Sequence, residues 1–213
     1  MNVLLVHGLG RTPLSLVLLA NALRRAGCRT HFFGYSPTCE PLPGITRRLA
    51  VRLGELTGPV GLVGHSLGGL LLRMAIPQVP TLQVLNLVML GSPNRPPRLA
   101  RSAWRHGPFR WLTRECGAFL ASPDAVLRLP VPAVPYTLIA GTAGPRGAYS
   151  PFGDDPNDGV VAVDETRIRD EDDPERFPVW HTVMMNDRRV QEAVVFALTA
   201  ERPTPVRGSR PGV

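Results

Sequence analysis

The feature that most constrains the fold is a glycine-rich hexapeptide, Gly64-His-Ser-Leu-Gly-Gly69, which lies between two apolar segments. Residues 60–63 form a short apolar run, which predicts a buried strand, and residues 67–76 predict an apolar helix. A sharp turn from strand to helix needs glycines, because the two backbones approach too closely for a Cβ atom. Such a turn raises Ser66 above the sheet edge, beside helix N–H groups that favour developing negative charge. The hexapeptide therefore predicts a nucleophilic serine, and an accidental Gly/Ser turn is the alternative.

Strand-like and helical segments alternate along the rest of the chain. Strands are predicted over 2–6, 30–35, 60–63, 84–90 and 135–140, and helices over 13–26, 45–56, 67–76 and after an N-cap at Asn186. This order predicts an α/β fold with a mostly parallel central sheet and helices on both faces. We expect one domain over 1–200, followed by a flexible tail over 201–213 that is rich in Pro, Gly and Arg.

Two segments interrupt the alternation. The stretch from 93 to 134 is longer than an ordinary crossover between strands, and we interpret residues 95–129 as a helical cap. Its apolar aromatic residues are expected to wall a pocket for an acyl group; they are Trp104, Phe109, Trp111 and Phe119. A cap packed only for stability, with its arginines in water, explains these residues equally well. The second segment, 150–178, is acidic and is predicted to be a loop.

The charge of the chain is unevenly distributed. The formal net charge is +7, all 24 basic residues are arginine, and the acidic residues concentrate after residue 150. No recognition motif accompanies the basic charge, so we predict no nucleic-acid partner. Weak association of the arginine-rich cap with an anionic membrane surface is a secondary expectation, and the oligomeric state is not predicted.

The expected compartment follows from what the sequence does not contain. Its apolar stretches are too short for a membrane span, and no signal-peptide pattern precedes the first strand. Three cysteines are too few and too widely spaced for a zinc cluster or a disulfide framework. We therefore expect a cytoplasmic protein with free thiols.

A second motif, His7-Gly-Leu-Gly10, directly follows the first predicted strand. Acyl transfer needs two donors aimed at the oxyanion, one beside the nucleophile and one from a separate loop. The backbone N–H of Leu67 would supply the first and that of Leu9 the second. The alternative is a tight strand-to-helix turn with no part in catalysis.

A serine nucleophile needs a base, and the base needs an orienting acid. Of the five histidines, His181 is the favoured base because it follows Ser66 in the chain and lies just ahead of the last helix. The others are set aside because of their places beside the serine, in the first loop, in a strand or in the cap; they are His65, His7, His31 and His106.

The favoured acid is Asp158, which lies 23 residues before His181 and gives the chain order Ser, Asp, His. Gly159 permits a tight turn after it, and two valines follow. The alternative acids are Asp154, Asp155 and Asp164.

The same stretch also resembles the start of a calcium-binding loop. Counted from Asp154, the twelfth position holds Glu165, but the third holds Pro156, which has no side-chain oxygen. No pair of helices flanks the stretch, so we predict no metal site and no cofactor.

Taken together, these motifs resemble the α/β-hydrolase superfamily, and more closely its bacterial lipase and esterase branch. The matching pieces are His7-Gly-Leu-Gly10, Gly64-His-Ser-Leu-Gly-Gly69, Leu90-Gly-Ser-Pro-Asn94, Asn157-Asp-Gly-Val-Val161 and a histidine at 181 before the last helix. The resemblance implies Ser66 as nucleophile, Asp158 as acid, His181 as base, and Leu9 and Leu67 as oxyanion donors.

The function expected from this resemblance is hydrolysis of carboxylic esters through an acyl-enzyme on Ser66, without a redox or nucleotide cofactor. The substrate would be a small-molecule or lipid ester. A thioesterase, an acyltransferase or an amidase would use the same triad. A non-catalytic binding protein that keeps the serine turn is a less favoured alternative.

Overall fold

The computed structural model describes residues 1–200; the tail predicted over 201–213 lies outside the described residues. Six strands form one sheet: β1 (Asn2–Val6), β2 (Arg29–Phe33), β3 (Val60–His65), β4 (Val84–Leu90), β5 (Tyr136–Gly141) and β6 (Glu175–Phe177). Their order is β2-β1-β3-β4-β5-β6, and every neighbouring pair is parallel. The carboxyl ends of all six strands therefore lie along one edge of the sheet.

The register brings the ends of the central strands together. Val6 at the end of β1 pairs with Gly64 of β3, and His65 at the end of β3 pairs with Leu90 at the end of β4. The loops that follow β1, β3 and β4 consequently start side by side. These loops carry the two glycine-rich motifs of the sequence.

Seven helices are described: α1 (Val17–Arg25), α2 (Leu42–Gly54), α3 (Leu67–Ala75), α4 (Arg98–Ala103), α5 (Gly107–Ala121), α6 (Pro123–Leu127) and α7 (Arg188–Thr199). The apolar faces of α2 and α3 pack with one face of the sheet in a single buried cluster. Those of α1 and α7 form a second cluster on the opposite face. The predicted α/β architecture, a parallel sheet with helices on both faces, is confirmed.

Local boundaries differ from the predictions for identifiable reasons. The first predicted helix begins with a 3₁₀ turn over Pro13–Leu16 before α1, and the last helix takes Asp187, not Asn186, as its N-cap. The Asp187 carboxylate accepts the Arg189 N–H at 2.9 Å. The acidic segment, predicted to be a loop, contains the edge strand β6, which has only three residues and no apolar alternation to reveal it.

The predicted cap corresponds to the three helices α4, α5 and α6, which lie between β4 and β5. Helix α5 is broken at Arg114, which has φ 43° and ψ −125°, a conformation that only glycine adopts without strain. The residues before the break are mostly exposed, whereas Cys116, Gly117 and Leu120 after it are buried. The helix thus has an exposed first half and an anchored second half.

One side chain of α3, the buried Arg73, joins the two ends of the cap. Its guanidinium donates to the Asn94 Oδ1 atom at 2.9 Å and to the carbonyls of Leu129 and Pro130 at 3.0 and 2.9 Å. Burial lowers the pKa of this guanidinium to about 10. Arg73 therefore fixes the chain both where it leaves β4 and where it returns towards β5.

Two further expectations concern the whole chain. Within residues 1–200, no helix combines the length and the apolar character needed to cross a membrane. Cys28, Cys39 and Cys116 are free thiols, as the sequence predicts. The cytoplasmic location and the single-domain boundaries stay predictions.

Candidate active site

The turn between β3 and α3 brings backbones so close together that only glycine fits at two of its positions. Ser66 has φ 52° and ψ −123°, a strained backbone for a residue with a side chain. A Cβ atom on Gly64 would lie 2.4 Å from the Gly69 nitrogen, and one on Gly68 would lie 2.3 Å from the Val6 carbonyl oxygen. The Ser66 N–H donates to the Leu90 carbonyl at 2.8 Å, which fixes the turn to the end of β4.

His181 and Asp158 form a buried pair. The His181 Nδ1 atom lies 2.7 Å from Asp158 Oδ2, and the two residues are 6% and 1% exposed. The other carboxylate oxygen, Oδ1, accepts the N–H groups of Val160 and Val161 at 2.9 and 2.7 Å. The carboxylate is therefore held by the tight turn that Gly159 makes possible, with only Oδ2 directed at the histidine.

The base, the serine and one of the two predicted oxyanion donors meet at a single cavity. Ser66, His181 and Leu9 all line a cavity of about 520 Å³ at the carboxyl edge of the sheet. Among residues 1–200, no hydrogen bond joins the Ser66 hydroxyl to the His181 ring. Catalytic hydrogen bonds of this kind are often formed only once substrate is bound.

The cavity walls come largely from the cap and are apolar. Contributing residues from the start of the cap and from its helices include Pro93, Pro97, Leu99, Ala100, Ala103, Phe109 and Leu120. Of the four aromatic residues predicted to wall the pocket, only Phe109 does so. Trp104 packs edge-on against Phe109, with ring centroids 6.5 Å apart; Phe119 packs against the core, and Trp111 is 67% exposed.

The loop after β1 is held by its buried histidine. The His7 Nε2 atom accepts the Tyr35 N–H at 3.3 Å, so Nδ1 carries the proton and donates to the Gly8 carbonyl at 2.9 Å. The His7 ring also stacks on the Tyr35 ring at 4.3 Å. Burial lowers the pKa of His7, which keeps it neutral. His7 thus shapes the backbone that precedes Leu9.

Leu67 occupies the first position of α3, where the backbone N–H has no partner inside the helix. This placement, beside Ser66, is the one that the sequence predicts for an oxyanion donor. The roles of Leu9 and Leu67 stay predictions, as do those of the three triad residues.

The alternative acids occupy other positions. Asp155 pairs with Arg98 of the cap at 2.7 Å, Asp164 pairs with Arg95 at 3.2 Å, and Asp154 is exposed. None of the three is the partner of His181, whose Nδ1 contacts Asp158. Within the described residues, no group of three His, Cys, Asp or Glu side chains is arranged to hold a metal ion.

Sequence reasoning considered Glu165 only as a calcium ligand, whereas the structure gives it a different place. Its carboxylate is buried, accepts the N–H of Ala162 at 3.0 Å and accepts the N–H of Arg98 at 2.9 Å. Burial raises the pKa of this carboxyl group. Glu165 thereby links the loop of Asp158 to the first cap helix. No sequence signal reveals this link, because both partners are backbone groups and that of Arg98 is 67 residues away along the chain.

The parallel sheet with helices on both faces agrees with a comparison of sequences. Residues 3–207 match the sequence profile of the alpha/beta hydrolase family. The match covers nearly the whole chain, so the chain belongs to the alpha/beta hydrolase family. Membership in this family supports a hydrolase activity. A search of curated proteins finds no match.

Solved structures with the same fold are distant in sequence. The mature lipase BlEst2 of Bacillus licheniformis matches with a TM-score of 0.69 at 20% identity, over 86% of each chain. The lin2722 gene product of Listeria innocua gives 0.61 at 16% identity, over 95% of each chain. Phospholipase PlaB of Legionella pneumophila gives 0.59 at 16% identity, over 79% of this chain and 46% of PlaB. At these identities the likeness establishes the fold.

Proposed function

We propose that the chain is a serine hydrolase that cleaves carboxylic esters through an acyl-enzyme on Ser66. The observation that carries the proposal is the buried His181–Asp158 pair, 2.7 Å apart, on the same cavity as a serine held in a strained strand-to-helix turn. Strain of this kind is kept where the surrounding structure requires it, and it concentrates at active sites.

The proposed reaction has two steps. Ser66 Oγ attacks the ester carbonyl while His181 Nε2 takes the hydroxyl proton, and Asp158 Oδ2 accepts the Nδ1–H and stabilises the imidazolium. The N–H groups of Leu9 and Leu67 bind the oxyanion of the tetrahedral intermediate. His181 then protonates the leaving alcohol. Water, deprotonated by the same ring, releases the acyl group and restores the serine.

The cavity supports an ester with an apolar acyl group, from a small molecule or a lipid. Its walls are mainly proline, leucine, alanine and phenylalanine side chains, so each buried methylene of the substrate would contribute about 0.8 kcal/mol to binding. A thioester or amide substrate, or transfer of the acyl group to an acceptor other than water, would use the same residues. The buried histidine–aspartate pair on the cavity of a strained serine favours catalysis over a non-catalytic binding role.

The experiment compares the wild-type chain with Ser66→Ala on p-nitrophenyl esters of increasing acyl length, on matched thioesters and on amides. We expect Ser66→Ala to lose at least about 10⁴-fold in kcat and to lose labelling by a fluorophosphonate probe. Ser15→Ala is the control, because this half-buried serine is in the first 3₁₀ turn and, within residues 1–200, its hydroxyl bonds only the Thr12 carbonyl. Wild-type turnover by Ser66→Ala would refute the nucleophile, and faster turnover of thioesters or amides would favour the alternative activities.

A weak association of the cap with anionic membranes belongs to the same proposal. The exposed half of α5 presents Trp111, Leu112 and Arg110, and Arg105 is exposed just before the helix, a combination that suits an anionic bilayer surface. Co-sedimentation with phosphatidylserine vesicles that weakens with salt is expected. Equal sedimentation with neutral vesicles would refute the electrostatic contribution.

A further inference from the structure

The second residue of the serine turn, His65, contacts the loop of the base. Its side chain is 1% exposed, and its Nε2 atom lies 3.0 Å from the backbone carbonyl oxygen of His181. The two imidazole rings lie 4.9 Å apart between centroids, tilted by 44°. The residue that sequence reasoning set aside because it neighbours the serine is thus a direct partner of the proposed base.

The hydrogen bond determines the state of the His65 ring. A carbonyl oxygen only accepts, so Nε2 must carry the proton and Nδ1 is unprotonated. Burial and the neighbouring His181 lower the pKa of His65 well below its usual value, so the ring stays neutral. A neutral ring leaves the imidazolium that forms on His181 without a second positive charge beside it.

The other ring nitrogen shows that His65 is not a simple filler. Nδ1 is buried and has no hydrogen-bond partner within residues 1–200; a Cβ atom on Gly8 would lie only 2.8 Å from it. A buried polar atom without a partner costs about 1–3 kcal/mol. A leucine would fill similar space without that cost, so the contribution specific to histidine is the bond from Nε2.

That bond completes the attachment of the loop around the base. The His181 N–H donates to the Asp158 carbonyl at 2.9 Å, and the next carbonyl, that of Thr182, accepts from the guanidinium of Arg11. With His65 bound to the His181 carbonyl, both peptide groups that flank the His181 Cα atom are held. The ring can then turn only about its own side-chain bonds, and its Nδ1 is fixed by Asp158.

We propose that His65 is a positioning residue for the base, which sets the reach of His181 Nε2 towards Ser66 by donating a hydrogen bond to the His181 carbonyl. The inference rests on the proposed function, because it gives His65 a task in that same reaction. His65 does not contact the reacting atoms and acts through the backbone of the base.

The test uses three substitutions on an ester that the wild type hydrolyses. The Gln side chain of His65→Gln keeps an NH₂ donor near the position of Nε2. The Asn side chain of His65→Asn is one carbon shorter, so its NH₂ does not reach that position, and His65→Leu has no donor. A shift of about 1 Å in a catalytic group costs about 10²-fold, so we expect kcat to fall about 10²-fold in His65→Leu and His65→Asn, with KM unchanged within about twofold. His65→Gln is expected to recover kcat to within about fivefold of wild type.

A spectroscopic measurement separates positioning from packing. The Nδ1 proton of His181, which bonds Asp158, gives a low-field proton resonance that is expected to persist in His65→Gln and to shift or broaden in His65→Leu. His31→Leu, in the edge strand β2 two strands away from β3, is the matched control and is expected to keep the wild-type kcat and resonance. Thermal unfolding checks each variant; where His65→Leu does not fold, the Gln and Asn pair decides.

Two results would overturn the inference. Wild-type kcat in folded His65→Leu or His65→Asn would show that the donor is not needed, and an equal loss in all three variants would show that only the shape of the histidine matters. Failure of the proposed function has a different signature, since Ser66→Ala would then keep wild-type hydrolysis whatever the His65 variants do.

Discussion

The substitution Asp158→Asn changes a single atom of the proposed triad, and the structure determines how the new amide must orient. Carboxylate Oδ1 accepts two backbone N–H groups, from Val160 and Val161. An amide NH₂ at that position would leave the part-buried Val160 N–H and the buried Val161 N–H without their acceptor, and the buried one alone would cost about 1–3 kcal/mol, so the amide oxygen takes this position. The NH₂ then occupies the Oδ2 position, 2.7 Å from His181 Nδ1 in the wild type.

This orientation reverses the hydrogen bond to the base. The new NH₂ donates to Nδ1, so the neutral His181 ring carries its proton on Nε2, the nitrogen that faces Ser66. A protonated Nε2 cannot accept the proton of the serine hydroxyl. A triad with the wrong tautomer loses about 10⁴-fold in kcat. At 1.36 kcal/mol for each factor of ten, the barrier rises by about 5.4 kcal/mol.

Steady-state kinetics on a p-nitrophenyl ester measure the effect, with urea unfolding as a check on the fold. Asp154→Asn is the matched control, because this exposed carboxylate lies in the same loop and is not directed at His181. A folded Asp158→Asn enzyme within about tenfold of the wild-type kcat would refute the assigned acid and the orientation argument together.

Three further predictions concern stability, all measured by urea unfolding. Arg114→Gly is expected to stabilise the chain by about 1 kcal/mol relative to Arg114→Ala, since glycine alone adopts φ 43° and ψ −125° without strain; equal stability would contradict the strain. Glu165→Gln is expected to cost about 1–3 kcal/mol, because an amide accepts only one of the Arg98 and Ala162 N–H groups at its two ends; an unchanged midpoint would contradict this link. The folded-state pKa of His65 is lowered by burial, so below about pH 6.5 the unfolded chain binds a proton that the folded chain does not. Stability should then fall by up to about 1.4 kcal/mol per pH unit more in wild type than in His65→Leu, and parallel pH curves would contradict the lowered pKa.

The sequence predicts the fold well where the signal is local. Four of the first five strands, β1, β3, β4 and β5, are mainly apolar runs in the chain, and β2 ends in two phenylalanines. The serine turn has glycines because the backbones approach closely there. Strand β6 lacks such a signal, since its three residues are charged or half-exposed and its pairing with β5 depends on the rest of the sheet. The end of a long parallel sheet is thus visible only in three dimensions.

The candidate site likewise combines residues that a local sequence motif reveals with one that only the tertiary structure reveals. Ser66, Asp158 and His181 were singled out by local motifs and by their order along the chain, and the structure brings all three to one region of the sheet edge. The place of His65 could not be predicted, because its partner is a main-chain carbonyl 116 residues away. A backbone acceptor exists at every residue, so the sequence does not mark which one a histidine finds.

The buried Arg73 holds the cap at its base, through Asn94 at one end and Leu129 and Pro130 at the other. Because one guanidinium anchors both the outgoing and the returning chain, the exposed part of the segment between them can change in length and apolar lining while its two ends stay in place. The serine turn would stay in place, since the Ser66 N–H is bound to the end of β4. The loop of Asp158, in contrast, is tied to the first cap helix through Glu165 and the Arg98 N–H. Substrate range can therefore be engineered in the cap apart from the nucleophile, provided that the Arg98 contact is kept.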